Sequence, residues 1–359
     1  MDENRYYKIA DPLEGVLLGI AVGDSLGLPA EGLSPQRIKK NSWSPWKHRL
    51  FFGKGMISDD TEHSFFVAQA ILREPKDSAK FQRALASKLR WWLLSLPAGT
   101  GLGTARAILK LWLGFPPTKS GVFSAGNGPA MRSAIIGACF HAEPDKMYEY
   151  VKASTLLTHT DPRALTGAFA VAQLTSYLIL NDGQIHRQEV IQRLKAISFL
   201  EEEWLAIIAK IESSLEVSLS VEDFAKEMNL ERGITGYIYH TVPMVIYTLL
   251  LHEADFEVSL TALLNCGGDS DTTGAILASI LGACGKHTKI PKPWVDDIIE
   301  WPRSIGLLKK VAHQLNRLKE GQEHSEVSYF VPFILLRNLI FLIIVLAHGL
   351  MRLFTTLKF

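Results

Sequence analysis

The sequence predicts an all-α protein built as one principal domain. Alternating runs of β-branched residues are scarce along its 359 residues, whereas apolar residues recur at helical spacing. Helix-start signals, such as Asp-Pro pairs and hydroxyl residues followed by acids, punctuate the chain. Two acidic clusters, 210 positions apart from Asp59 to Asp269, share one chemistry. If they serve one site, the chain between them belongs to one domain, which overrides the two-domain prior set by length.

The elements follow in order. Asp11-Pro12 supplies an N-cap and a first-turn proline for the apolar run 13–28. That run ends in a glycine-punctuated turn, Gly23-Asp24-Ser25-Leu26-Gly27-Leu28-Pro29-Ala30-Glu31-Gly32. Ser58–Thr61 opens a helix in which Phe65, Ala68 and Leu72 share a face. Gly128-Pro129 opens another, carrying Met131, Ile135, Ile136 and Cys139, and Asp161-Pro162 starts the run 165–180. Residues 187–230 read as amphipathic helices, one beginning at the capping-box-like Ser220-x-x-Asp223. Asp271-Thr272-Thr273 then opens the run 275–284. The expected organisation is a catalytic domain over 1–301, a helical linker over 302–326 and a hydrophobic segment over 327–354.

Composition excludes several classes. A net charge of +1 and a charged fraction of 21% mark neither a nucleic-acid binder nor a disordered chain. Cys139, Cys266 and Cys284 form no Cys-x-x-Cys pair and read as reduced core thiols of a cytosolic domain. The start, Met1 to Arg5, lacks the basic region of an export signal, and the run 15–22 meets Asp24 at once, so it reads as buried helix. Residues 327–354 hold only Arg337 and Arg352 as charges. That exceeds the roughly 20 residues needed to span a bilayer. The expectation is a C-terminal transmembrane anchor, with Arg337 snorkelling to one interface, Arg352 and Lys358 at the other, and catalysis independent of the segment. A core or partner-binding helix is the alternative.

The chemistry concentrates in Ser58-Asp59-Asp60-Thr61 and Gly267-Gly268-Asp269-Ser270-Asp271-Thr272. One such cluster alone is an ordinary helix cap. Two together bring four carboxylates that repel unless a hard divalent cation joins them, because Mg²⁺, Mn²⁺ and Ca²⁺ take oxygen ligands. A pair of such ions can clamp a sugar or phosphate and activate water, so the chain reads as a metal-dependent hydrolase. Glu31 can project from its turn as general acid or base, or is a solvated loop glutamate. Ser124-Ala125-Gly126-Asn127-Gly128-Pro129 presents backbone N–H groups suited to a diphosphate, or is a simple Asn-Gly turn. His159, at a helix entry, can reach a ligand hydroxyl, and His63 can support the metal ligands without being one. Cys266 adjoins the second loop, but its thiol is too soft a ligand for an oxygen site.

Taken in order, Gly23-Asp24-x-x-Gly27 with Glu31, Ser58-Asp59-Asp60-Thr61, Gly126-Asn127-Gly128 with Met131-Arg132, His159 and Gly267-Gly268-Asp269-Ser270-Asp271-Thr272 resemble the ADP-ribosylglycohydrolase family. The likeness runs from about Leu13 to Trp294, and the last element is its most specific part. The resemblance implies a compact all-α domain holding two Mg²⁺ or Mn²⁺ ions. It makes Asp59, Asp60, Asp269, Asp271 and Thr272 metal ligands, with Ser58 where the family usually has Thr. Glu31 matches the family's mobile active-site glutamate; Gly126, Asn127, Gly128 and His159 match substrate-contacting segments. The implied activity is removal of ADP-ribose from a modified protein or a small ADP-ribosyl conjugate. A catalytically silent ADP-ribose-binding or structural descendant is the alternative, and the intact acidic set favours the enzyme.

Overall fold

The computed structural model describes residues 5–197 and 202–356. Asp11 caps α1 (Pro12–Gly27), its Oδ1 accepting from Leu13 N at 2.9 Å and Glu14 N at 3.0 Å. Ser58 caps α2 (Asp59–Arg73) and Asp77 caps α3 (Ser78–Leu94). Next come α4 (Leu102–Trp112), α5 (Pro144–Leu156) and α6 (Pro162–Leu180), the last capped by Asp161 as its Asp-Pro start predicts. The series continues with α7 (Ile238–Leu251), α8 (Phe256–Leu264), α9 (Ser270–Gly282), α10 (Ile305–Lys319) and α11 (Pro332–Thr356). The expected amphipathic helices appear as Arg187–Ala196, Glu202–Glu216 and Val221–Glu227, with Ser220 capping the last. Gly128-Pro129 opens only a 3₁₀ turn, Ala130–Arg132, before the short helix Ala134–Cys139. Among the described residues the backbone forms isolated bridges and no strand, so the class is all-α as predicted.

At the centre, α1 and α9 run antiparallel with their backbones in contact. Gly15, Gly19, Gly23 and Gly27 face Gly282, Ala278, Gly274 and Ser270, each set spaced four residues apart. This is the spacing of a helix ridge. A Cβ on any of the four α1 glycines would lie 2.0–2.2 Å from a carbonyl oxygen of α9. No side chain larger than hydrogen fits there. The contact fixes the end of α1, with Asp24 and then Glu31, beside the start of α9, with Asp269, Asp271 and Thr272. Leu17, Val22, Phe65, Ile136, Val171, Val245 and Ile276 pack around the pair in one continuous apolar core. Cys139, Cys266 and Cys284 are free and buried, and burial pushes each thiol up to about 12.

Two expectations require correction. Residues 302–326 are not a linker, because α10 is capped by Ser304 and buries Leu307, Leu308, Val311, Ala312 and Leu315 in the main core. The second concerns the course of Arg337 in the tail. By length and composition α1, α6 and α11 could each cross a membrane, yet windows of the first two are 89% and 72% buried inside the protein. The α11 window is 22% buried, because the helix lies along the domain on one face. Ile334, Arg337, Asn338 and Phe341 point inward; Phe333, Leu336, Leu339, Ile343 and Leu350 point out. Arg337 does not snorkel. Its guanidinium bonds Glu300 at 2.6 and 2.9 Å and Ile57 O at 2.6 Å, all buried. The expected anchor Lys358 lies outside the described residues.

Candidate active site

The first acidic loop is held from below by Asp24, which α1 buries completely. Its carboxylate accepts from Ser58 N at 2.8 Å, Thr61 N at 3.2 Å and Thr61 Oγ1 at 2.5 Å. Burial pushes Asp24 up to about 6 against the downward pull of these bonds. Ser58 Oγ accepts from Asp60 N and so caps α2, which leaves the acids free of that duty. In the second loop Gly267 and Gly268 take φ of 62° and 82°, a left-handed backbone that favours glycine. This lets the chain pair on both sides: Gly268 N donates to Leu33 O at 2.8 Å and Asp269 N to Ile234 O at 2.7 Å. Asp269 occupies the N-cap position of α9 without capping it. Its Oδ2 accepts instead from Asn127 Nδ2 at 2.7 Å.

The two loops meet. Thr272 Oγ1 lies 3.3 Å from Asp60 Oδ2, the same oxygen to which Ser58 Oγ donates at 3.3 Å. Asp60 Oδ1 and Asp271 Oδ1 are buried without a hydrogen-bond partner. Burial first, then neighbouring carboxylates, holds Asp59, Asp60 and Asp271 well above the usual carboxylate range. For Asp59 the neighbours are Asp24, Glu62 and Glu31; Asp60 feels Asp59, Asp24 and Asp269. Glu62, one turn into α2, is paired with buried Arg303 and accepts from Trp92 Nε1. Glu31 is exposed at the rim, where the walls of the cleft and the charge of Asp269 raise its pKa.

The opposite wall is the turn Gly126–Gly128, with Asn127 N bonded to Gly236 O at 2.9 Å and Asn127 Nδ2 to Thr241 Oγ1 at 3.0 Å. Fully buried Arg132 ties this turn to the His159 segment, donating to Gly128 O at 3.1 Å and Thr158 Oγ1 at 2.6 Å. Arg132 donates to Thr158 Oγ1, whose own hydrogen is then available to His159 Nδ1, 2.8 Å away, in the tautomer protonated at Nε2. In that tautomer Nε2–H of His159 is the donor beside Gly126 and Gly103. Burial pushes His159 down to about 3, so it is a neutral donor and not a proton shuttle at physiological pH. His63 is buried edge-on against Trp92, 4.4 Å between ring centroids, with Nδ1 3.3 Å from Arg132. It supports the wall rather than the acids.

These walls enclose a cavity of about 590 Å³ lined by Glu31, Asp59, Gly126–Gly128, His159, Asp269, Asp271 and Thr272. Asp60 and Ser58 lie beneath its floor. Sequence reasoning missed two contributors. Asp24 was read only as part of a motif, with no role. Gly99-Thr100-Gly101-Leu102-Gly103-Thr104, which lines the cleft at the start of α4, carries the same signal of glycines before a helix that marked Gly126.

Comparison with known proteins decides the family. The sequence profile described as ADP-ribosylglycohydrolase matches residues 6–325. The chain belongs to that family. Its match extends past the stretch legible by eye and takes in α10. A protein of Archaeoglobus fulgidus, itself uncharacterised, is 33% identical over 79% of this chain and 90% of its own length. The ADP-ribosyl-[dinitrogen reductase] glycohydrolase of Rhodospirillum rubrum is 25% identical over 81% of this chain and 91% of its own. ADP-ribosylhydrolase ARH3 of Xenopus tropicalis is 26% identical over 78% and 89%. A solved ADP-ribosylglycohydrolase-related protein complex shares the fold, with a TM-score of 0.61 at 23% identity, over 86% of this chain and 98% of that one.

Whether the acids suit a divalent cation can be asked of the geometry. Among the described residues no three His, Cys, Asp or Glu side chains stand gathered as a closed ligand set. The donors of a hard-ion site also include hydroxyls and water, and Ser58 and Thr272 supply hydroxyls on Asp60. Two buried carboxylate oxygens without partners are costly unless protonated or bound to a cation. The residues therefore fit.

Proposed function

We propose that this chain hydrolyses the glycosidic bond between ADP-ribose and a protein side chain or small acceptor. The observation that carries the reading is the convergence of two distant acidic loops on one cleft, with Asp60 Oδ1 and Asp271 Oδ1 buried and unpartnered. Ser58, Asp59, Asp60, Asp269, Asp271 and Thr272 would hold two Mg²⁺ or Mn²⁺ ions. When bound, such ions supply Lewis-acid stabilisation of ribose hydroxyls and of an attacking water.

The residues of the chain do the rest. The backbone N–H groups of Gly126 and Gly128 and the Nε2–H of His159 donate to oxygens of the diphosphate or ribose, while Asn127, its donors held by Gly236, Thr241 and Asp269, shapes the turn; this orients the anomeric carbon. Water attacks that carbon as its bond to the acceptor nitrogen or oxygen breaks through an oxocarbenium-like state. Glu31, its pKa raised at the rim, takes a proton from the water and returns one to the leaving group. Incubation with ADP-ribosyl-arginine and ADP-ribosyl-serine peptides, with Mg²⁺ and with EDTA, tests the reading. Release of ADP-ribose only with metal supports it; tight ADP-ribose binding without turnover of either peptide identifies a silent family member instead.

The tail supports association with a membrane, in a form different from a spanning anchor. A helix crossing the bilayer would carry Arg337 and Asn338 into lipid and leave Glu300 buried and unpaired, at a cost of several kcal/mol. Lying in the plane of the interface keeps those bonds and turns Phe333, Leu336, Leu339 and Ile343 outward to acyl chains, flanked by exposed Trp91 and Trp301. The catalytic domain then rests on the cytosolic face. Flotation with liposomes tests this: full-length protein rises with the vesicles, and protein that stays in the dense fraction without detergent contradicts it.

A further inference from the structure

The face of α11 turned to the domain is spent on the two loops that deliver the candidate catalytic groups. The family match ends at residue 325, before this helix begins. Near its end, His348 Nε2 lies 3.1 Å from Pro29 O and Arg352 donates to Glu31 O at 3.0 Å and Pro29 O at 3.4 Å. These carbonyls belong to the turn that carries Glu31. From the other side the turn is held by the bond from Gly32 N to Gly268 O, 2.7 Å. About three turns nearer the start of α11, Arg337 bonds Ile57 O, the residue just ahead of Ser58, while Glu300 accepts from Ile57 N at 3.2 Å. Between these polar contacts Phe341 packs with Leu28, Leu50 and Met56 in a cluster of its own, apart from the main core. Leu28 precedes the Glu31 turn, and Met56 precedes the first acidic loop.

We propose that α11 is a brace for the active site, with Arg352 and His348 as positioning residues for Glu31 and Phe341 joining the Glu31 turn to the first acidic loop. The turn's own bonds are short-range, Glu31 N to Leu28 O at 3.2 Å and Leu33 N to Ala30 O at 2.9 Å, and its local opening is governed by the tertiary contacts added to them. With the brace in place Glu31 is held over the acids; without it the carboxylate samples positions from which it cannot exchange a proton with substrate. The sequence reading made the tail dispensable, and these contacts make it part of the machinery. The consequence for catalysis rests on the hydrolase reading above, whereas the consequence for the turn does not.

The test uses full-length protein carrying His348→Ala/Arg352→Ala, with Arg352→Lys and Phe341→Ala in parallel. Hydrogen exchange of residues 28–33 is read first, and is expected to speed by about tenfold in the double variant. The Arg352→Lys variant, which keeps a cation able to donate to the same carbonyls, stays near wild type. Turnover of an ADP-ribosyl peptide should fall roughly tenfold in kcat with KM little changed, because orientation and not binding is lost. Manganese affinity, read by calorimetry, should be unaltered in the double variant. Unchanged exchange at 28–33 in both the double variant and Phe341→Ala overturns the proposal. So does a turnover loss in Arg352→Lys as large as that of the double variant. If wild-type protein turns over no ADP-ribosyl peptide, the hydrolase reading fails, and the exchange measurement still decides whether the brace exists.

Discussion

At the scale of single residues, each acid has a separable task. Glu31 stands apart from the buried cluster and is read as a proton carrier, so Glu31→Gln is expected to lower kcat about 100-fold or more while Mn²⁺ affinity stays near wild type. Calorimetry showing lost metal binding would reassign it as a ligand. Asp24 is read as the holder of the first loop, since its carboxylate accepts from Ser58 and Thr61. Asp24→Asn puts an amide where donors converge, and should cost roughly tenfold or more in Mn²⁺ affinity with helical content intact. The buried acids also set a pH dependence. Asp60 and Asp271 sit above the usual range and Asp24 at about 6, so the folded metal-free protein binds protons that the unfolded chain has already lost. As far as these groups are concerned, stability of that form is therefore greatest below the ordinary aspartate value of 3.8 and is lost as pH rises from there through about 6, where Asp24 gives up its proton, and further for Asp60 and Asp271. Asp60→Asn/Asp271→Asn removes part of the repulsion. Thermal scans in EDTA at pH 7.5 should show the double variant melting a few degrees above wild type, on the order of 1–2 kcal/mol, with the gap narrowing toward pH 5. A gap that widens toward pH 5 would mean these carboxylates are not the cause.

At the scale of elements, the α1–α9 pair does most to build the site. Its contact tolerates no side chain at Gly19 or Gly23, where the carbonyl oxygens of Ala278 and Gly274 stand 2.1 Å from a would-be Cβ. Gly19→Val should cost at least about 3 kcal/mol by forcing the helices apart, and circular dichroism melts measure it directly. The helix starts were legible in the sequence because capping is local: Asp11, Ser58, Asp161 and Ser220 each act on backbone within three residues. The glycine ladder was also on the page, at 15, 19, 23 and 27. Its partner lay some 250 residues away, and no local rule pairs two such strips. The tail shows the opposite limit. Its composition dominates any reading by hydropathy, yet Arg337, Phe341, His348 and Arg352 repeat at helical spacing and mark the one face that docks. The partners of that face, Glu300 and the carbonyls of Pro29 and Glu31, could not be named from the sequence.

At the scale of the whole molecule, the candidate site was legible in outline because acids of like charge have few reasons to converge. Asp59, Asp60, Asp269, Asp271, Thr272, Glu31, Asn127 and His159 all reach one cleft or its floor. The support beneath them was less legible. Asp24, Arg132 and Thr158 act through buried bonds that only the assembled fold creates. The account as a whole stands on metal-dependent release of ADP-ribose. The most direct measurement takes full-length protein stripped with EDTA and follows ADP-ribose freed from ADP-ribosyl-arginine and ADP-ribosyl-serine peptides as Mg²⁺ is restored. No release is expected in EDTA and full recovery on adding excess Mg²⁺, with Asp60→Asn/Asp271→Asn silent throughout. Release that continues unchanged in EDTA, or that survives in the double variant, would contradict it.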